Sequence, residues 1–188
     1  MMNKGRLFVI SGPSGVGKGT ICNGILQKVS KVAISVPATT RLPRPGDIEG
    51  TTYFFKTDEA FDEMIKNGEL LEWAEYNGNR YGTPLWAVED MLDSGISVIL
   101  EIDTQGALQI KEKMPEAVLI FIAPPAFEAL EARLRGRATE TEEQILRRVA
   151  VARDEMKVSH LYDYVVVNDD LEKAINETKN IFIKEIAL

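Results

Sequence analysis

Seven consecutive residues near the start of the chain, Gly12-Pro13-Ser14-Gly15-Val16-Gly17-Lys18, have the types and spacing to hold phosphate. Closely spaced glycines let backbone N–H groups curl round an anion, and the run leads into a helical pattern whose N-terminal end is positive. Lys18 is placed to reach the β- and γ-phosphates of a nucleoside triphosphate. In the common form of this loop the residue after the lysine gives a hydroxyl to Mg²⁺, and Gly19 has none to give. Thr20 points about 100° away around the helix and suits the α-phosphate instead. The candidate ATP contacts are therefore Gly12, Pro13, Ser14, Gly15, Val16, Gly17, Lys18, Gly19 and Thr20. Mg²⁺, the expected cofactor, is then held mostly by phosphate oxygens and by the waters it keeps readily.

A carboxylate behind those waters can come from Glu101 or Asp103, which end the strand-like run SVILEID. Ligands of open α/β sheets sit just beyond strand C-termini, so both can face the phosphates. Asp103 can equally cap the helix that follows. Arginines cluster in TTRLPRPG and EARLRGRATETEEQILRR, a pattern that fits either a solvated face or an anion site. His160, the only histidine, lacks a partner motif for metal or triad chemistry, and Cys22, the only cysteine, fits a small buried helix position.

The elements that must carry these residues alternate along the chain. RLFVIS is a buried strand, and KGTICNGILQKV continues as a helix with Ile21, Ile25 and Val29 on one face. SVILEID, AVLIFIA and DYVVVND are further strands, separated by TQGALQIKEKM and by two helices bearing Phe127, Leu130 and Leu134, then Ile145, Val149, Ala152 and Met156. Thr83-Pro84 predicts an N-cap with a first-turn proline, and Thr141 to Gln144 a capping box. Residues 171–186 predict a last amphipathic helix. Such alternation implies an α/β fold, a parallel sheet with helices on both faces. Residues 35–83 break the pattern with short strand-like pieces, AISV, TYFF, LLEWAEY and NRYGT, around one helix; they predict a small α+β insertion whose neighbouring strands pair antiparallel.

A length of 188 residues suits one domain with insertions. The net charge of −7 argues against nucleic acid or an anionic membrane as partner, so anionic ligands must meet local positive groups. The longest apolar runs cannot span a bilayer, the first residues lack a signal-peptide core, and a single cysteine fits a reducing compartment. A cytoplasmic protein is expected.

The blocks GPSGVGKGT, TTRLPRPGDIEGTTYFF, GELLEWAEYNGNRYGT, LEIDTQGA, RLRGRATETEEQILRR and YDYVVVNDDLEKA occur in the order and spacing of guanylate kinases, which the chain resembles over nearly its whole length. The resemblance implies transfer of the γ-phosphate of ATP to GMP with Mg²⁺, small-molecule substrates, and a monomer or homodimer. It implies a P-loop NTPase three-layer core (1–34, 84–125 and 157–188), a GMP-binding insertion (35–83) and a helical lid (126–156). By the same resemblance Arg41, Arg44, Tyr53 and Tyr81 bind the GMP phosphate, for which guanidinium forks and phenol hydroxyls are suited. Glu72 accepts from the N1–H and N2–H₂ of guanine, Thr83 donates to the base, and Asp103 matches a further guanine acceptor. Arg133 and Arg137, four apart on a helix, match lid arginines together with Arg148, and Asn168 matches a position near adenine. Lys18, Arg41, Arg137 and Arg148 are the implied catalytic groups; Arg135 and Arg147 are assigned to the surface. Relatives usually carry serine where this chain has Pro37, which predicts one fewer guanine contact and weaker GMP binding.

Two other readings stay open on the sequence. GKGT also occurs in adenylate kinases, although the insertion motifs differ from theirs. Guanylate-kinase-like domains in scaffolding proteins bind phosphorylated partners without catalysis, but they lack a working phosphate loop or lid arginines, whereas Lys18, Arg41, Arg137 and Arg148 are all present here.

Overall fold

Leu7, Phe8, Val9 and Ile10 are all buried, yet they point alternately to two different cores, because successive side chains of a strand face opposite sides of its sheet. A strand apolar on both faces needs cover on both, and the chain supplies it. In the computed structural model, which describes residues 4–135 and 142–187, the elements run β1 (Leu7–Ser11), α1 (Lys18–Lys28), β2 (Val32–Ile34), β3 (Ala38–Thr39), β4 (Phe54–Phe55), α2 (Asp58–Lys66), β5 (Leu70–Tyr76) and β6 (Asn79–Pro84). They continue as α3 (Leu85–Asp93), β7 (Ser97–Glu101), α4 (Thr104–Lys113), β8 (Val118–Ala123), α5 (Phe127–Arg135), α6 (Glu142–Lys157), β9 (Tyr164–Val167) and α7 (Leu171–Ile186).

Five strands form a parallel sheet in the order β2-β7-β1-β8-β9. Phe8, Ile10, Ile99 and Ile120 meet α1, α5, α6 and α7 on one face; Val9, Val98, Leu100 and Phe121 meet α3 and α4 on the other. The Phe8 and Phe182 rings stack at 3.7 Å between β1 and α7. This is the α/β architecture with a helix-flanked parallel sheet that the alternation predicts.

A second sheet, β4-β3-β6-β5, closes its own small core of Ala38, Phe61, Met64 and Leu70 under α2. Thr57 caps α2 by accepting from the Ala60 N–H, and Arg80 on β6 ties down the same helix through Asp58 and Asp62 while lying over the Phe61 ring.

Four local expectations are corrected. AISV contributes to the core rather than to the second sheet, because β2 pairs with β7. β3 and β4 pair parallel, the 14-residue excursion between them returning the chain in the same direction, while β3–β6 and β5–β6 are antiparallel. Thr83 lies inside β6 and does not cap α3, whose N-cap position is Pro84. Val29 lies past the end of α1, at its C-cap. The Thr141 capping box and Arg137 lie outside the described residues.

Candidate active site

The loop between β1 and α1 is shaped by three glycines at positive φ, Gly12, Gly15 and Gly17. A Cβ on Gly12 would meet the Ile122 carbonyl oxygen at 2.3 Å, and one on Gly17 would meet Asn168 Nδ2 at 2.6 Å. Both positions combine a backbone that L side chains rarely adopt with no room for one. The Lys18 ammonium folds over the loop and donates to the carbonyls of Gly12 (2.6 Å) and Pro13 (3.2 Å). Burial pulls its pKa down, against the carboxylates of Glu155, Glu101 and Asp103, which stabilise the charged form.

Asn168, at the end of β9, is buried. Its side-chain amide donates to the Val16 carbonyl at 2.8 Å, its backbone N–H to Ala123, and its carbonyl accepts from Arg133 at 2.9 Å. It therefore braces the glycine loop and anchors a guanidinium of α5. Arg148, on α6, donates to the Ser14 hydroxyl at 2.7 Å, joining the second helix to the loop tip. Arg135 pairs with Glu131 and Glu142 and so links α5 to α6, while Arg147 pairs with Glu143 in solvent.

Across the end of β7 lies a cleft of about 440 Å³ lined by Tyr53, Glu72, Ala74, Tyr76, Tyr81, Glu101, Ile102 and Asp103. Glu72 is 7 % exposed and accepts from the Thr83 hydroxyl at 2.6 Å, from the neighbouring antiparallel strand. Thr83 serves this carboxyl group instead of a helix N-terminus, because the pairing of β6 with β5 sets the two side chains together. Burial pushes the Glu72 carboxyl up, Thr83 opposes it, and Asp103 adds to it. Gly106 lets α4 approach closely: a Cβ there would sit 3.2 Å from Glu72 Oε2. Asp103 caps α4 by accepting from the Gly106 N–H at 2.8 Å.

Arg41 packs against Tyr53, one of the residues that line the cleft. Its guanidinium lies over the Tyr53 ring at 5.1 Å, and Tyr53 meets Tyr81 edge-on at 6.1 Å. It donates to Asp47 at 2.8 Å and to the Leu42 carbonyl at 2.9 Å. The Arg44 side chain is exposed.

Glu101 is the exposed final residue of an otherwise buried strand, not an interior carboxylate. A Cβ on Gly19 would lie 3.4 Å from each of its carboxylate oxygens, so the acid sits where a side chain after Lys18 would project. That donor fits Mg²⁺ approached through water, whereas Asp103 already spends an oxygen on the α4 cap. Among the described residues no cluster of three or more metal-binding side chains occurs.

Sequence reasoning passes over Glu155, Tyr76 and Asp47. Burial raises the Glu155 carboxyl against the pull of Lys18, and its Oε2 is buried without a hydrogen-bond partner. It lies on the inward side of α6, three residues after buried Ala152, and no local motif marks it. Asp47 follows a Pro-Gly turn three residues after Arg44, a spacing that does signal a side chain turned back on the backbone. A larger cavity, 540 Å³, opens at the opposite end of the sheet, but Arg6, Glu185, Lys111 and Asp163 there are paired with one another.

The family model described as guanylate kinase matches residues 4–185. The guanylate kinase of Halalkalibacterium halodurans is 50 % identical over 182 residues, covering 97 % of this chain and 89 % of that protein. The crystal structure of guanylate kinase from Anaplasma phagocytophilum matches with a TM-score of 0.74 and 38 % identity, over 97 % of this chain and 87 % of that one. The SH3-kinase fragment of tight junction protein 3 shares the fold at 15 % identity and a TM-score of 0.52, over 98 % of this chain and 58 % of that one.

Proposed function

This chain belongs to the guanylate kinase family, and from that premise we propose how its residues move the γ-phosphate of ATP onto GMP. The observation that carries the reading is the buried, Thr83-bonded Glu72 carboxyl group in a cleft also lined by Tyr53 and Tyr81, with Arg41 packed on Tyr53. Guanine offers two adjacent N–H donors to one carboxylate; adenine offers no such pair. A site built on polar contacts of this kind rejects the wrong base by about 10⁴-fold, because a mismatch leaves buried groups unpaired. Asp103 and Thr83 complete the base end, and Arg44 joins Arg41 at the phosphate end.

The triphosphate lies in the loop of residues 12–20, its oxygens met by backbone N–H groups and Lys18. One oxygen of the GMP phosphate attacks the γ-phosphorus while the bond to the bridging oxygen of ADP breaks. Little covalent help is needed; positioning and charge stabilisation do the work. Lys18 leaves its carbonyl partners to meet the charge on the transferring group. Arg148, Arg137 and Arg133 supply further positive charge from a lid, 126–156, closing on the core and on the 35–83 insertion. Mg²⁺ neutralises phosphate charge when bound, with Glu101 as the carboxylate behind its waters. Asn168 acts through the loop it braces as well as beside adenine. Pro37 removes one hydroxyl contact to guanine, so Pro37→Ser lowers KM for GMP. A cytoplasmic location belongs to the same proposal.

The test is ADP formation from ATP with GMP, AMP, CMP and UMP supplied in turn. Turnover with GMP alone is expected; equal turnover with AMP would overturn the base assignment. Lys18→Ala is expected to abolish turnover and leave GMP affinity by calorimetry unchanged, since the two nucleotides occupy separate pockets.

A further inference from the structure

The turn that carries Arg44 is closed by Asp47 in two ways. The Asp47 N–H donates to the Arg44 carbonyl at 3.0 Å, and Asp47 Oδ2 accepts from the Arg44 N–H at 2.7 Å. Gly46, at φ +94°, lets the chain reverse between them. The same Oδ2 also accepts from the Arg41 guanidinium at 2.8 Å, although Arg41 lies six residues away and outside the turn. The two side chains are only 11 % and 13 % exposed. The Arg44 backbone N–H, with Arg41, holds the Asp47 carboxyl below its ordinary range, so it is ionised at neutral pH.

One oxygen thus joins the two arginines proposed for the acceptor phosphate. We propose that Asp47 is a positioning residue: its carboxylate sets the Arg41 guanidinium against the Arg44 turn before the nucleotide arrives. The inference rests on the reading of Arg41 and Arg44 as the phosphate end of the cleft.

Donor arithmetic supports positioning over competition with the ligand. A guanidinium has five N–H donors, and the bonds to Asp47 and Leu42 occupy two, leaving three for a phosphate. The ring faces of Tyr53 and Phe55, 5.1 and 5.9 Å away, fix the plane of the group. A free arginine loses much rotamer freedom on binding an anion, whereas Arg41 has lost it in advance.

Calorimetry of GMP and of guanosine on wild type, Asp47→Asn and Asp47→Ala separates the possibilities. Asp47→Ala is expected to weaken GMP roughly tenfold, as for loss of one charge-assisted bond. Guanosine affinity and KM for ATP are expected to stay constant. Asp47→Asn keeps an acceptor for the Arg44 N–H and should fall between the two. Tighter GMP binding in either variant would identify the carboxylate as a competitor and overturn the proposal. Equal weakening of GMP and guanosine would also overturn it, reducing Asp47 to a residue that folds the loop. If wild type bound guanosine as tightly as GMP, the fault would lie earlier, in the phosphate reading of Arg41 and Arg44.

Discussion

At Glu72, the proposed recognition of guanine and stability pull in opposite directions. The carboxylate is buried, and burial raises its pKa, so the folded chain holds this proton more tightly than the unfolded chain does. For an acid shifted upward, the stabilising contribution is complete below the ordinary carboxyl range and is lost as pH rises through the raised folded value. Glu72→Gln cannot ionise and should escape that loss. Thermal melts should show the variant gaining on wild type as pH rises above the ordinary carboxyl range of about 4. Its kcat/KM for GMP should fall by ~10²-fold, since the amide cannot accept from both guanine donors. A variant both less stable at neutral pH and unchanged toward GMP would refute both claims. Elsewhere burial serves inertness: the Cys22 thiol is pushed up to about 12, so slow alkylation of the folded protein is expected.

At the scale of elements, α4 and β9 illustrate how helices and strands hold a site they hardly touch. Gly106→Ala raises helix propensity by about 1 kcal/mol, so α4 should not be weakened. The added methyl lies 3.2 Å from Glu72 Oε2, however, and must push the carboxylate or the helix aside. A raised KM for GMP with unchanged KM for ATP is the expected outcome; equal KM values would mean that Glu72 yields freely. Asn168→Ala should act on the other substrate. It leaves the Val16 carbonyl buried without its partner, a cost of about 1–3 kcal/mol, and loosens the phosphate loop. Steady-state kinetics should show KM for ATP rising while KM for GMP holds.

Over the whole molecule, the Glu72 cleft and the glycine loop meet the C-terminal edge of one parallel sheet, so their relative placement depends on that sheet. Phe8 joins β1 to α7 by stacking on Phe182 and is fully buried. Phe8→Ala should cost about 3–5 kcal/mol in denaturant unfolding, and both KM values should move together because neither site is touched alone. That joint movement would contrast with the single-substrate effects of Gly106 and Asn168.

How much of this was legible in the sequence depends on the range of the interaction. Periodicity placed β1, β7, β8 and α7, since a strand buried on both faces and an amphipathic helix are written in local pattern, but it left the partly exposed edge strand β2 in the insertion. The glycine spacing placed the turn between β1 and α1, because positive φ at Gly12, Gly15 and Gly17 is itself the requirement. Three things were decided only by tertiary structure. Thr83 bonds Glu72 rather than capping a helix, because β5 and β6 pair in a register that brings the two together. Asn168 braces Val16, 152 residues away in sequence, because β9 lies beside β8 at the sheet edge. Asp47 adds the Arg41 guanidinium as a second partner on the oxygen that closes the Arg44 turn, a contact that the local spacing leaves unspecified. Residue types and their order determined which chemistry the chain could hold; pairing across the two sheets decided which atom meets which, since hydrogen bonds act over about 3 Å while sequence records only neighbours.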